Sequence, residues 1–210
     1  MPLYVLALTD TPLGSWTARG RRLMTADYDG VYAVYERRSE APALTDAELR
    51  DQHHLVIAIA NRARAVLPAR FGSLIARLEL TVLIRRHDAQ IRTALEQVRD
   101  RVQMTVRVLG ATPRRPSPAA HVTSGREYLE RARRQLAPPL PRRVERLLSA
   151  VQQYVVAERR EPGAGRLVAT LYHLLDASQV GRYTKAAGKR VPGVIVSGPW
   201  PPFAFSPQLW

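Results

Sequence analysis

Residues 3–9 form an almost unbroken apolar run, and over residues 30–36 Val31, Ala33 and Tyr35 alternate with Tyr32, Val34 and Glu36. Both patterns predict strands, because successive strand side chains point to opposite faces. The polar, glycine-bearing stretch 10–29 between them predicts a loop or a short turn of helix. A helix start follows at Thr45-Asp46-Ala47-Glu48, a capping box in which hydroxyl and carboxylate satisfy free amide donors of the first turn. Leu49, His53, Val56, Ala60, Ala63 and Leu67 then recur at spacings of four and three, which places them on one helix face. Pro68 is expected to end this helix.

The branched apolar run 78–84 predicts a strand, and 88–99 predicts a second helix with Ile91, Ala94, Leu95 and Val98 facing inward. Val102, Met104, Val106 and Val108 alternate with Gln103, Thr105 and Arg107, the period of a half-buried strand. Strands and helices interleaved by short connections point to an α+β fold of ferredoxin-like character in residues 1–112. The prolines at 113, 116 and 118 mark residues 111–120 as a linker. Residues 113–210 are expected to form a second, smaller α+β domain with a short antiparallel sheet. It opens with a capping box at Ser124-Gly125-Arg126-Glu127 and a helix carrying Tyr128, Leu129, Ala132 and Leu136. Val144, Leu147, Leu148 and Val151 continue an apolar stripe. Pro162-Gly163-Ala164-Gly165 predicts a hairpin turn, residues 177–187 a short helix, and residues 194–197 the last strand.

Composition changes the picture in two ways. The chain has 210 residues, no cysteine and a formal net charge of +14. Disulfides, thiolate nucleophiles and cysteine-ligated metals are thereby excluded, which fits a cytoplasmic protein. The charge is almost all arginine, dispersed as pairs along the whole length, and allows an anionic surface, an acidic protein or nucleic acid as partner. A nucleic-acid binder more often gathers its charge on one face, so that class is the weaker alternative. No apolar run is long enough to span a bilayer.

The C-terminal run Gly198-Pro199-Trp200-Pro201-Pro202-Phe203-Ala204-Phe205 holds three prolines within four positions. Each fixes φ and removes an amide donor, so the segment is expected to leave the sheet as a stiff extended arm. Either its aromatics fold back into the core or they form a docking surface. Trp200, closely following a strand, is expected to be mainly structural, with Phe203 and Phe205 more available.

The arm resembles the signature GPWPPYSF that closes the GvpL/GvpF family of gas vesicle proteins. Further segments agree in order. Leu3-Tyr4-Val5-Leu6 resembles the family's opening strand, and His53 with Val66-Leu67-Pro68-Ala69-Arg70-Phe71-Gly72 resembles its H…VLPxRFG pattern. Ser124-Gly125-Arg126-Glu127-Tyr128-Leu129 is similar to its SGxxYL helix start. The chain departs at Gln103, where glutamate is usual, and at Phe203 and Ala204, which replace tyrosine and serine. The resemblance implies a two-domain α+β protein, its first domain ferredoxin-like, found with or on gas vesicles in the cytoplasm. It also implies binding to the small hydrophobic shell subunit, help in assembly, and contact with other gas vesicle accessory proteins.

Candidate chemistry is thin. No glycine-rich phosphate loop is present. His53 and His54 are adjacent, so they point to different sides of a helix and cannot hold one ion; His53 reads as a buried, hydrogen-bonded side chain. Ser124 fits a cap better than a nucleophile. No catalytic residue, metal ligand or cofactor is expected. Trp200, Phe203, Phe205 and Arg70 are the expected partner contacts, and His53, Leu67, Pro68, Phe71, Gly72, Ser124, Gly125, Tyr128, Gly198 and Pro199 the structural ones.

Overall fold

The computed structural model describes residues 2–110, 140–188 and 191–209. The expected linker at 111–120 and the helix start with Ser124, Gly125 and Tyr128 lie outside the described residues. The fold is α+β and divides into two compact units, Met1–Val102 with Trp200–Trp210, and Gln103–Pro199. The division thus falls at 102/103 instead of 112/113, and the arm goes with the first unit. The cause lies in pairing and packing. The strand after residue 100 hydrogen-bonds within the second sheet, whereas Phe203 packs on the core of the first unit.

In the first unit, β1 (Leu3–Thr9) is buried along its whole length. It pairs antiparallel with β4 (Val31–Arg37) on one side and with β5 (Val66–Pro68) and β6 (Leu74–Ile75) on the other. A central strand covered on both faces needs the continuous apolar run that the sequence shows. The stretch expected as loop folds instead into β2 (Trp16–Ala18) and β3 (Arg21–Tyr28), completing the order β2-β3-β4-β1-β5. Its turns are Arg19-Gly20 and Asp29-Gly30, all four residues with positive φ, as a two-residue hairpin requires.

Helix α1 (Asp46–Ala60) starts as expected, with the Thr45 hydroxyl accepting from Glu48 N–H at 3.3 Å. It ends seven residues before Leu67, because Val66-Leu67-Pro68 is β5, with Leu67 opposite Leu8 of β1. Its buried face is Gln52, Leu55, Val56 and Ile59; Leu49, expected inside, is 40% exposed. The expected strand at 78–84 is helix α2 (Arg77–Arg86), with Leu80 and Ile84 buried one turn apart. A short apolar run does not by itself separate the two periods, and here the Glu79 carboxylate caps Ala76 N–H at 3.2 Å. Helix α3 (Asp88–Val98) buries the four residues assigned to it, Ile91, Ala94, Leu95 and Val98.

The second unit has the sheet order β10-β7-β9-β8, from β7 (Arg101–Leu109), β8 (Ala157–Pro162), β9 (Leu167–Asp176) and β10 (Val194–Trp200). Helix α4 (Arg142–Val151) lies between β7 and β8 in the chain, and α5 (Val180–Ala187) between β9 and β10. This is the strand-helix-strand-strand-helix-strand order of a ferredoxin-like sheet, so the complete motif belongs to the second unit. The first unit holds one part of it, the crossover β4-α1-β5 astride β1. Among the described residues no helix is long and apolar enough to cross a membrane.

Candidate functional site

Strand β10 does not stop at the first proline but runs through Pro199 to Trp200. Gly198 is required there, since a Cβ would come within 2.8 Å of Gln103 O and Met104 Sδ. Pro201 and Pro202 are then buried. They lead into a tight 3-10 turn, Phe203–Phe205, closed by Phe203 N–H to Pro201 O at 2.7 Å and Phe205 N–H to Pro202 O at 3.0 Å. Phe205, expected to be available, is only 2% exposed. Phe203 is half-buried against the cluster of Tyr4, Leu6, Leu55, Val56, Ile59 and Val66. The arm therefore folds back, and what it leaves partly exposed is Phe203 and the segment after it.

His53 of α1 is the anchor. Its ring stacks on Phe203 with centroids 5.3 Å apart at 18°, and meets Trp200 edge-on at 5.3 Å. Partial burial and the neighbouring His54 hold its pKa below the ordinary imidazole value, favouring the neutral ring. In place of the buried, hydrogen-bonded histidine expected, the side chain is half-buried and held by aromatic contacts.

The segment 66–72 reaches the same place from β5. Tyr4 Oη donates to Gln52 Oε1, Gln52 Nε2 donates to Ala69 O at 3.3 Å, and Gly72 N–H donates to Tyr4 Oη at 3.3 Å. Ser73 Oγ donates to Arg70 O at 2.6 Å. This chain of bonds from β1 through α1 fixes the hook at Arg70-Phe71. Leu67 and Pro68 are buried, but Phe71, expected in the core, is half-buried and Arg70 is exposed. Hook, α1 and arm enclose a cleft of about 610 Å³, lined among others by Leu49, His53, Arg70, Phe71, Phe203 and Pro207. Its lining is mostly apolar, with Gln52, Ser206, Gln208 and the exposed Arg70 guanidinium among its polar groups, and it suits an apolar side chain with a carboxylate nearby. From the sequence, Leu49 and Tyr4 stand out only as a helix-stripe residue and a strand residue, and neither they nor Gln52 as part of a site. Only the departure of Leu49 from the true buried face, legible once the helix is known to bury Leu55 and Ile59, marks it.

A second cluster lies in the other unit. His173 on β9 is 1% exposed; its Nδ1 lies 2.7 Å from the Tyr183 hydroxyl of α5 and its Nε2 lies 3.1 Å from Glu158 Oε2 of β8. The tautomer that satisfies both has Tyr183 donating to Nδ1 and Nε2–H donating to Glu158. His173 and Tyr183 are buried, and the cluster joins helix to sheet, with only the Glu158 carboxylate reaching solvent. Burial pushes the His173 pKa down against the opposing pull of Glu158, and pushes the Tyr183 phenol up. The folded chain therefore binds fewer protons at this site than the unfolded chain below the ordinary value of 6.5, so stability present above that pH declines as pH falls through the lowered one. In urea titrations between about pH 7.5 and 5.5 the wild type should lose more stability than a His173→Asn variant. Equal losses would contradict this, and His53, common to both proteins, cancels in the comparison.

Among the described residues no group of three or more His, Asp or Glu side chains is placed to hold a metal ion. The model of a family described as gas vesicle synthesis protein GvpL/GvpF matches residues 2–207. Two solved structures are similar in fold. Gas vesicle protein GvpF from Microcystis aeruginosa superposes with a TM-score of 0.72 at 12% identity, covering 97% of this chain and 98% of its own. Gas vesicle protein GvpF from Anabaena sp. PCC7120 gives 0.71 at 12% identity, covering 98% of each. No curated protein sequence matches the chain.

Proposed function

Because this chain belongs to the gas vesicle synthesis protein GvpL/GvpF family, we propose that it is a non-catalytic accessory protein that binds the small apolar shell subunit of the gas vesicle and assists its assembly. The observation that carries this reading is a convergence. Residues 66–72 and the arm after Gly198, far apart in sequence and the most specific parts of the family resemblance, meet at one cleft beside α1. A shell subunit with an apolar face aggregates unless that face is covered, and the cleft offers Leu49, Phe71 and the partly exposed Phe203 with Arg70 at the rim. Trp200 and Phe205 act from behind, holding Phe203 and His53 in place. This work belongs in the cytoplasm and at the growing vesicle, with other accessory proteins of the same organelle as further partners.

The arginines support a protein partner over nucleic acid. Arg21 reaches Glu36, Glu48 and Asp51 at 3.2, 3.3 and 2.8 Å, Arg38 bonds Glu36, and Arg99 reaches Asp10 at 2.8 Å. Part of the positive charge is thus matched by carboxylates within the first unit, where a nucleic-acid face would leave it free for phosphates. The test is co-purification of the tagged chain with co-expressed shell subunit. Wild type should retain the subunit and a Leu49→Ser, Arg70→Glu variant should lose it. A wild type that retains none overturns the proposal.

A further inference from the structure

Among the described residues, the outer face of helix α2 is left open. Leu80 and Ile84 point into the core, while Leu78 and Val82 are 76% and 52% exposed. Leu78, Val82 and Arg85 follow one another at spacings of four and three along this outer face, with Arg86 one turn beyond Val82. The neighbouring polar groups are already engaged: the Glu79 carboxylate binds Ala76 N–H, and the Thr81 hydroxyl donates to Arg77 O at 3.0 Å. Arg85 and Arg86 are exposed and make no ion pair among the described residues. An apolar pair on successive turns, ended by two free guanidinium groups, is the pattern of one half of a helix-helix contact.

We propose that this face docks an amphipathic helix of another protein, whose apolar seam is rimmed by glutamate or aspartate. The charge decides the occupant. A second copy of this chain would bring Arg85 and Arg86 against their own counterparts in a protein of net charge +14, and like charges brought together oppose association. Phosphate backbones would match the arginines but leave Leu78 and Val82 without apolar contact. An acid-rimmed helix satisfies both halves of the face. The inference shares no residue with the cleft and stands without it.

The experiment is fluorescence anisotropy with a labelled model helix carrying a leucine seam and a glutamate rim, beside its lysine-rimmed counterpart and a scrambled peptide of the glutamate composition. The glutamate-rimmed helix should bind the full chain more tightly than either control. A Leu78→Ser, Val82→Ser variant should weaken it by about tenfold or more, and an Arg85→Glu, Arg86→Glu variant should shift the preference to the lysine rim. All four positions are exposed, so thermal melts should coincide with wild type. Equal affinity for the three peptides, or no effect of the serine pair, would overturn the proposal. So would a wild-type dimer in sedimentation that the serine pair dissolves, which would make a second copy the occupant.

Discussion

Phe205→Ala is expected to cost about 3–5 kcal/mol of stability, the range for removing a fully buried aromatic ring. The residue lies at the end of the chain in a proline-rich segment, where truncation is often harmless. Its 2% exposure argues the opposite here. Pro201 and Pro202 are buried before it, and the turn they set up aims its ring inward. With φ fixed at both prolines, the arm loses little entropy on docking, so most of the burial energy is retained as stability. Urea unfolding of the full chain should show the first unit melting early in the variant. A change near zero would mean that the arm is an appendage and that Phe203 is not held in place by it.

Leu67→Ala is expected to cost about 2–5 kcal/mol. The side chain is 2% exposed on β5, opposite Leu8 of the central strand. Pairing of β5 with β1 also positions the Arg70-Phe71 hook, since Ala69 N–H donates to Leu6 O at 2.9 Å just past the strand. A cavity at Leu67 should therefore reduce both stability and shell-subunit binding, whereas a change at the exposed Leu49 should reduce binding alone. If denaturant titration showed Leu67→Ala close to wild type, β5 would not belong to the sheet core.

Elements with one strong signal were legible in the chain. The unbroken apolar run of β1, the capping box of α1 and the inward residues of α3 all stand where the pattern put them. Three stretches fold otherwise than their patterns predict, each for a physical reason. The β2-β3 hairpin turns on Arg19-Gly20, and arginine is not a residue that announces a left-handed turn. The Asp29-Gly30 turn does carry that signal, but β3 on its near side alternates weakly. In α2, Leu78 and Val82 complete what looks like a branched strand because they are exposed against the usual rule. In α1, the stripe from Leu49 to Leu67 kept helical spacing by coincidence across a chain reversal, so β5 was absorbed into the helix.

The site was half legible. The arm and the segment 66–72 stood out as motifs, and their meeting at His53 required the fold. Which arm aromatic is open could not be read from sequence, because it depends on the 3-10 turn that buries Phe205 and leaves Phe203 at the edge. The cluster of Glu158, His173 and Tyr183 was invisible, because its members pair across two strands and a helix with no sequence spacing in common.

Affinity measured on folded variants decides whether the cleft is the surface that binds the shell subunit. Titrating shell subunit, held soluble in mild detergent, into wild type and into the Leu49→Ser, Arg70→Glu variant should give a dissociation constant raised at least about tenfold in the variant, with coincident melting curves. The His173→Asn variant, altered in the other unit, should bind like wild type where it is folded. Equal affinity for wild type and the cleft variant would place shell-subunit binding elsewhere on the chain.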